Sequence, residues 1–415
     1  MFTLVYIGLI VQYRQMIQRD LLKTLKHTPS LEALLLWGPR QVGKTTLLEA
    51  MHPRSSFYLD DLSVRERAQN DPAFLFSQAD FPCLIDEAQY APNLFPEIKL
   101  QIDRMRRERR RSSLEKKEVK LSFLITGSNK TLLDRNIKES LAGRCNVHAL
   151  HGLSIHEVLN DSDRFGLKDF LFRGGFPELY VRSELSPIQY LNDYILSFIE
   201  KDIAGSSRIE KITEFNTVLR LLAARTGQFL DTNEIANAAG VDFKTVQSWI
   251  GLLQRNLIIE LVSPFSSNLS KRIVKMKKLY FCDAGIASRL QGHLNSETLW
   301  NSPQTGALFE TLVFSELMKT RDHFLRDYRI HTWRTKDQHE IDFVLESGNQ
   351  FILIESKLGI HGTTPFTLDS EAKKVFKNVN QKIVVTSGGE LENLDRETLR
   401  VPISKLAEFL RSSGV

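Results

Sequence analysis

The stretch ALLLWGPRQVGKTTLLEAM, residues 33–51, constrains the fold of this chain more than any other. A short apolar run that needs cover on both faces meets a glycine-framed loop at 38–45 of the form G-x-x-x-x-G-K-[ST], and a helical pattern starts near Lys44. A strand, a tight loop and a helix satisfy all of this together. The glycines let the backbone wrap a phosphate chain, and the first amides of the helix have no partner within it. The expected nucleotide-binding residues are Gly38, Pro39, Arg40, Gln41, Val42, Gly43, Lys44, Thr45 and Thr46. Lys44 reaches the outer phosphates and Thr45 ligates a metal, so ATP and Mg²⁺ are the expected cofactors.

Such a loop needs a second apolar strand that ends in acids. CLIDEAQ, 83–89, supplies one: Asp86 is the expected magnesium carboxylate and Glu87 the expected general base, the alternative being an ordinary strand end with two exposed acids. LITGSN, 124–129, is a third strand whose terminal Asn129 is placed to orient the attacking water. Arg144 closes SLAGR just before the next strand and has two readings. It either reaches a γ-phosphate in a neighbouring subunit or serves as a structural cation at a helix C-terminus. Asp60 and Asp61, after SFYLD, either help at the nucleotide or cap a helix. Short apolar runs alternating with helices indicate an α/β fold with a parallel sheet covered on both faces.

Length and composition narrow the alternatives. At 415 residues, 42% hydrophobic and 25% charged, the chain is an ordinary globular protein of several domains. Cys83, Cys145 and Cys282 lie too far apart for a zinc or disulfide framework, so a cytoplasmic location without a disulfide partner is expected. No run reaches the roughly 18 apolar residues of a membrane span, so no membrane partner is expected. The opening MFTLVYIGLIVQYRQ lacks the basic start and the small-residue cleavage site of a signal peptide. Met16 is the expected native start, with an interfacial or partner-binding arm as the alternative.

In this order, GPRQVGKTTLL, LIDEAQ, ITGS, ESLAGR and GGFPE resemble the bacterial and archaeal AAA+ ATPases that carry a characteristic C-terminal domain of unknown function. The resemblance covers nearly everything from Met16 onward. It implies an α/β fold with a P-loop AAA+ core, a helical lid, a winged helix and a restriction-endonuclease-like α/β terminal domain. The patterning delimits these as an arm and helix at 1–30, the core at 31–153, the lid at 154–205, the winged helix at 206–285 and the terminal domain at 286–415. Self-association into a homo-oligomer is expected. The segment 104–120 departs from the pattern, with nine Lys or Arg against three Glu. In such ATPases this connection can face the centre of an assembled ring and grip a polyanion; a solvated helix end is the alternative. Arg173, ahead of GGFPE, is a candidate phosphate sensor from the lid.

The stretch 230–262 reads as helix, turn, helix and strand, with Thr232 as a cap, Gly240 at the turn and Val246, Ile250 and Leu253 on the inner face of the second helix. The start of a second helix of this kind enters a major groove, which makes Lys244, Thr245, Gln247 and Ser248 candidate DNA contacts. The following segment, 264–281, reads as a wing carrying Lys271, Arg272, Lys275, Lys277 and Lys278 with no acid among them, a charge pattern suited to phosphates. Such modules also dock proteins.

In EIDFVLESGNQFILIESK, 340–357, a two-residue turn at Gly348 and Asn349 pairs Glu346 with Phe351, Val344 with Leu353, Asp342 with Glu355 and Glu340 with Lys357. Ile341, Phe343 and Leu345 then share the opposite face with Ile352 and Ile354. Facing carboxylates about 5 Å apart repel unless a cation lies between them. Glu310 projects from the apolar face of the preceding helix and needs a partner as well. Asp342 with Glu355 and Lys357 resembles the D…(D/E)-x-K signature of restriction-endonuclease-like nucleases, which implies Mg²⁺ on Glu310, Asp342 and Glu355 with Lys357 beside it. The alternative pairs Lys357 with Glu340. These readings describe a DNA-binding AAA+ ATPase that couples ATP hydrolysis to DNA remodelling or processing, with a Mg²⁺-dependent nuclease-like tail. The rivals are an ATP-controlled DNA-binding regulator and a protein-docking switch, both with an inactive tail.

Overall fold

Strands buried on both faces dictate the architecture of the first unit, Arg19–His151. The computed structural model describes residues 16–27, 31–111, 120–128, 137–182, 184–197, 211–266, 276–335, 339–359, 368 and 370–413. Residues 1–15, Asn129, Lys271, Arg272 and Lys275 lie outside them. After helix α1 (Asp20–His27) come β1 (Ala33–Trp37), helix α2 (Lys44–Glu49), β2 (Ser55–Tyr58), β3 (Cys83–Asp86), helix α3 (Leu94–Arg111), β4 (Phe123–Gly127) and β5 (Cys145–Ala149). The five strands run parallel in the order β2-β3-β4-β1-β5. Alternate residues serve opposite faces. Leu35, Ile85 and Ile125 pack with Phe95, Ile98 and Ile102 of α3, whereas Leu34, Leu36, Leu84 and Leu124 pack with Leu21, Leu25, Leu47 and Leu48 of α1 and α2. Placing β4 between β1 and β3 brings the C-terminal ends of all three beside the phosphate loop.

The second unit, Gly152–Val415 with residues 16–18, has a large core running through it and a smaller one beside the C-terminal sheet around Phe265, Trp333 and Phe376. Its helical stretch Ile212–Ala224 leads to β6 (Gln228–Phe229), helix α4 (Thr232–Ala239), helix α5 (Phe243–Arg255), β7 (Ile259–Val262) and β8 (Lys278–Phe281). The three strands form an antiparallel sheet in the order β6-β8-β7. Asp231, rather than Thr232, caps α4: its carboxylate accepts from the amides of Asn233 and Glu234, which a hydroxyl one residue later does not reach. Gly240, at φ 67°, ends that helix in the left-handed conformation.

Helix α6 (Thr305–His323) opens the C-terminal part, followed by β9 (Arg329–Arg334), β10 (Glu340–Ser347), β11 (Gln350–Lys357), the helix Ser370–Val375, β12 (Val379–Thr386), β13 (Glu392–Asn393) and β14 (Thr398–Pro402). This mixed sheet is ordered β13-β14-β12-β11-β10-β9. The hairpin pairs Glu346 with Phe351 and Val344 with Leu353, around a turn in which Gly348 takes φ 56°. Toward the open end the register of β10 against β9 shifts between Ile341 and Val344. That irregularity turns Ile341 to the side of Val344 and Leu353, away from Phe343 and Leu345. No helix among the described residues is long and apolar enough to cross a membrane.

The GGFPE motif has a packing explanation. A Cβ on Gly174, at φ 71°, would lie 2.1 Å from Asp283 Oδ1; one on Gly175 would lie 2.6 Å from the Leu153 carbonyl, and one on Gly285 would lie 2.4 Å from the Gly174 amide. Asp283 sits at this knot, accepting from the Gly175 amide at 2.7 Å and capping the helix Ala284–Leu290 through the Ile286 amide at 3.1 Å. Arg173 is engaged here too, donating through Nη1 to the Leu179 carbonyl at 3.1 Å and covering the Phe165 ring. Gly174→Ala is expected to cost about 2–4 kcal/mol, because it adds steric overlap to a positive φ. Gly306→Ala, on an exposed turn of α6 with open space around it, changes stability by no more than about 1 kcal/mol. Denaturant melts of both variants check the contrast.

Candidate functional site

The loop between β1 and α2 closes around its own carbonyls. Lys44 is 5% exposed, and its ammonium donates to the carbonyls of Gly38 at 3.2 Å and Pro39 at 2.8 Å. Gly38 has no room for a side chain: a Cβ there would sit 2.1 Å from the Leu150 carbonyl. Gly43 takes φ 86° as the chain enters α2. Arg40 reaches Tyr90 Oη at 3.2 Å, and Val42 packs into the core. Gln41 adopts φ 61° in the tight loop.

Asp86 joins three elements. Its Oδ1 accepts from Thr45 Oγ1 of α2 at 2.7 Å and from Thr126 Oγ1 of β4 at 2.6 Å. Burial pushes its carboxyl up, against the pull of those two hydroxyls, and the neighbouring Glu87 pushes it further. Burial holds the Lys44 ammonium below its ordinary value, with Glu87 and Asp86 opposing. Thr45 and Asp86 are the residues that would hold a Mg²⁺, which would supply charge neutralisation to a phosphate chain. Glu87 sits at φ 55°, its amide donating to Thr126 Oγ1 at 2.9 Å, and Ser128 Oγ donates to its Oε2 at 3.0 Å. Gln89, which the sequence reading did not single out, donates through Nε2 to the same Glu87 oxygen and to Ser128 Oγ at 3.2 Å. Asp61 caps the helix Leu62–Asn70 through the Ser63 amide at 2.8 Å.

Arg144 does not extend outward. Its Nε and Nη2 make a two-pronged pair with Asp103 of α3 at 2.9 and 3.1 Å, and Nη1 holds the Ala142 carbonyl at 3.1 Å. Of the two expectations for Arg144, this engagement of the guanidinium within its own unit accords with the structural cation. Part of the basic face of α3 is spent likewise. Arg106 grips the nearly buried Glu32 through two bonds of 2.9 and 2.7 Å, and Arg109 adds a third contact. Arg104, Arg107, Arg110 and Arg111 are exposed on that helix.

On α5, Lys244, Gln247 and Ser248 are exposed, while Thr245 gives its amide at 3.0 Å and its hydroxyl to the capping Asp242. Lys278 corrects the reading of a free wing cation. It is 4% exposed and projects from β8 onto Glu310 Oε1 at 2.7 Å, while also bridging Glu340. Tyr280 donates to the same Glu310 oxygen at 2.5 Å. Asp342 turns to Ser356, accepting its amide at 2.8 Å and its hydroxyl at 2.7 Å, so the expected Asp342–Glu355 ladder pair does not form. The observed ladder ends at Phe343 and Ile354. Lys357 pairs with Glu355 at 3.3 Å rather than with Glu340.

Among the described residues no three acids, histidines or cysteines come together as a metal-ligand set. The donor set does not fit the Mg²⁺ expected on Glu310, Asp342 and Glu355. Lys278 and Lys357 already contact Glu310, Glu340 and Glu355, with Arg334 at 4.0 Å from Glu340, so little negative charge is left for a divalent ion. Burial pushes Glu310 up to about 7, with Asp342 adding to the rise. Burial pulls Lys278 down, yet Glu310, Asp342 and Glu340 outweigh it and hold the ammonium above its ordinary value.

A parallel sheet in this order, with a lysine-threonine loop facing an Asp-Glu strand end, defines a nucleotide-binding core of the AAA+ class. Residues 30–159 match the family model described as an AAA domain. Residues 164–297 and 305–406 match two models, each described as a domain of unknown function, DUF8612 and DUF4143. The chain is 30% identical over 318 residues to uncharacterized proteins of Mycobacterium tuberculosis and Mycobacterium bovis, covering 75% of this chain and 67% of each relative, and it belongs to their family. An uncharacterized protein of Haemophilus influenzae is 22% identical over 277 residues, covering 64% of this chain and 65% of its own length. Among solved structures, the ORC2 protein of Aeropyrum pernix in its ADPNP-ADP complexes aligns with 72% of this chain and 93% of its own at 12% identity and a TM-score of 0.32, a likeness too slight to argue from.

Two outcomes follow for the ion pairs. Asp103→Ala and Arg144→Ala are expected to lower the melting temperature alike and non-additively, whereas loss of ATP turnover in Arg144→Ala alone would restore the intersubunit role. Lys278→Met strands two buried or half-buried carboxylates and is expected to cost about 3–5 kcal/mol, partly recovered when combined with Glu310→Gln. Calorimetry of the nucleotide-free protein with MnCl₂ is expected to give the same heats for the wild type and Glu310→Gln; a signal lost in the variant would reinstate the metal.

Proposed function

We propose that this chain is a Mg²⁺-dependent ATPase of the AAA+ type that couples ATP binding and hydrolysis to the remodelling of bound DNA. The observation that carries the ATPase reading is the meeting of Thr45 and Asp86 at 2.7 Å beside Lys44, with Glu87 next in the chain. In this reading Lys44 and the loop amides hold the phosphates, Thr45 and Asp86 hold the metal, and Glu87 takes the proton of the attacking water.

The DNA part rests on two features. The order of helix, β6, α4, α5, β7 and β8, with the sheet β6-β8-β7, supports a winged helix over 206–285, with Lys244, Gln247 and Ser248 exposed at the start of its second helix. Arg104, Arg107 and Arg111 recur three and four residues apart on one exposed stripe of α3, a spacing suited to tracking a phosphate backbone. Self-association belongs to the same proposal, as do the lid at 154–205 and a nuclease-like ancestry for 286–415. The engagement of Glu310 and Glu340 by Lys278 favours the form of this reading in which the terminal domain shapes the complex and does not cleave DNA.

Lys44→Ala is expected to abolish ATP turnover. Binding to duplex DNA is expected to weaken by at least about tenfold between 50 and 200 mM salt. Lys244→Ala with Gln247→Ala reduces affinity at both salt concentrations. Full turnover in Lys44→Ala removes the ATPase reading, and salt-insensitive or absent binding removes the DNA reading.

A further inference from the structure

We infer that Gln89 is a positioning residue for ATP hydrolysis, holding Glu87 in the attitude of a base and accepting a hydrogen bond from the second O–H of the attacking water. The inference rests on the ATPase reading. Gln89 lies in the single turn Ala88–Tyr90 that follows β3, and its side chain is enclosed, with the residue 7% exposed. Its Nε2 donates to Glu87 Oε2 and to Ser128 Oγ, and Ser128 Oγ donates to the same carboxylate oxygen. One oxygen of Glu87 is therefore held by two donors from two different elements. The other is left to accept a proton, and the carboxylate cannot swing freely about its terminal bond.

The backbone is arranged to the same end. Glu87 adopts φ 55° and ψ 48°, a left-handed conformation that a residue with a side chain takes at a cost, and its amide is anchored to Thr126. Thr126 also donates to Asp86, so the metal carboxylate and the base are tied to one β4 side chain. Strained backbone held by convergent hydrogen bonds is characteristic of groups positioned for chemistry.

The remaining atom of the carboxamide points to a ligand. Gln89 Oε1 is buried and has no hydrogen-bond partner among the described residues. A buried acceptor left this way is costly, and a water molecule activated by Glu87 offers what both groups need. In the step itself the water oxygen forms a bond to the γ-phosphorus as the bond from that phosphorus to the bridging oxygen breaks. The electron pair leaves on ADP, one water proton passes to the unheld oxygen of Glu87, and the second stays on the product phosphate, facing Gln89 Oε1. No further reactant is needed.

The test uses the full chain and steady-state ATP hydrolysis, with ADP affinity and melting temperature measured alongside. Gln89→Met keeps the shape and removes both polar atoms. It is expected to lower kcat by about 10- to 100-fold with KM and ADP affinity within about twofold. A positioning residue acts through Glu87, so Glu87→Gln and Glu87→Gln with Gln89→Met are expected to share nearly the same residual rate, a non-additivity that a merely structural residue would not give. Should Gln89→Met fold poorly, Ser128→Ala, which removes one of the two donors to Glu87, is expected to lower kcat with the same split. Wild-type kcat in Gln89→Met, or a parallel loss of kcat and ADP affinity, overturns the inference and leaves the ATPase reading standing. A wild-type chain that does not hydrolyse ATP overturns both.

Discussion

The hydrogen bonds converging on Asp86 Oδ1 hold the nucleotide unit together where it matters. Thr45 brings α2 and Thr126 brings β4 to one carboxylate at the end of β3. Both donors are neutral hydroxyls, and the nearby ammonium of Lys44 is committed to two loop carbonyls. Desolvation therefore acts on both charged groups with incomplete compensation, raising Asp86 and lowering Lys44. In the proposed reading, a polyphosphate accompanied by a divalent ion would supply the charge that each lacks. The sheet order is what makes this possible, because β4 inserted between β1 and β3 delivers Thr126, Ser128 and the phosphate loop to the same edge.

The acid cluster around Glu310 meets the same electrostatic problem in the opposite way. Here the countercharge is internal: Lys278 reaches Glu310 and Glu340 from β8, Arg334 lies 4.0 Å from the same Glu340, and Lys357 takes up Glu355. Where Lys44 faces dipoles and leaves the acids of its site to a ligand, Lys278 faces the acids directly. A buried pair of this kind adds less to stability than its Coulomb attraction suggests, since both ions have left water. Its structural effect is to fix β8, α6 and β10 against one another, since shifting any of the three would uncover a charge.

What could be read in the sequence divides along the same line. The phosphate loop, the acid-ended strand and the hairpin turn at Gly348 were legible because each needs contiguous residues in a fixed backbone geometry. Partners distant in the chain were not legible. Nothing local couples Arg144 to Asp103, 41 residues away, or Lys278 to Glu340, 62 residues away. In the sequence, Arg144 had two open readings and no visible partner, Lys278 read as one of five unopposed wing cations, and Glu310 read as needing a metal. The hairpin shows how narrow the margin is: its pairing near the turn was legible, yet the irregularity beyond Val344 turned Ile341 to the other face and released Asp342 to Ser356.

GGFPE and Gln89 show two further limits of legibility. The glycines of the motif announce a tight backbone, but their purpose lies in Asp283, 108 residues beyond Gly175, whose carboxylate leaves no space for a Cβ. A motif can thus be visible while the contact that requires it is not. Gln89 is the reverse case, a side chain with no sequence signal beyond its place two residues after Glu87. In LIDEAQ it reads as a polar residue following a strand, where an exposed amide would be unremarked. Only burial distinguishes it. An enclosed carboxamide must account for both a donor and an acceptor, and here the donor is spent on Glu87 and Ser128 while the acceptor has no partner among the described residues.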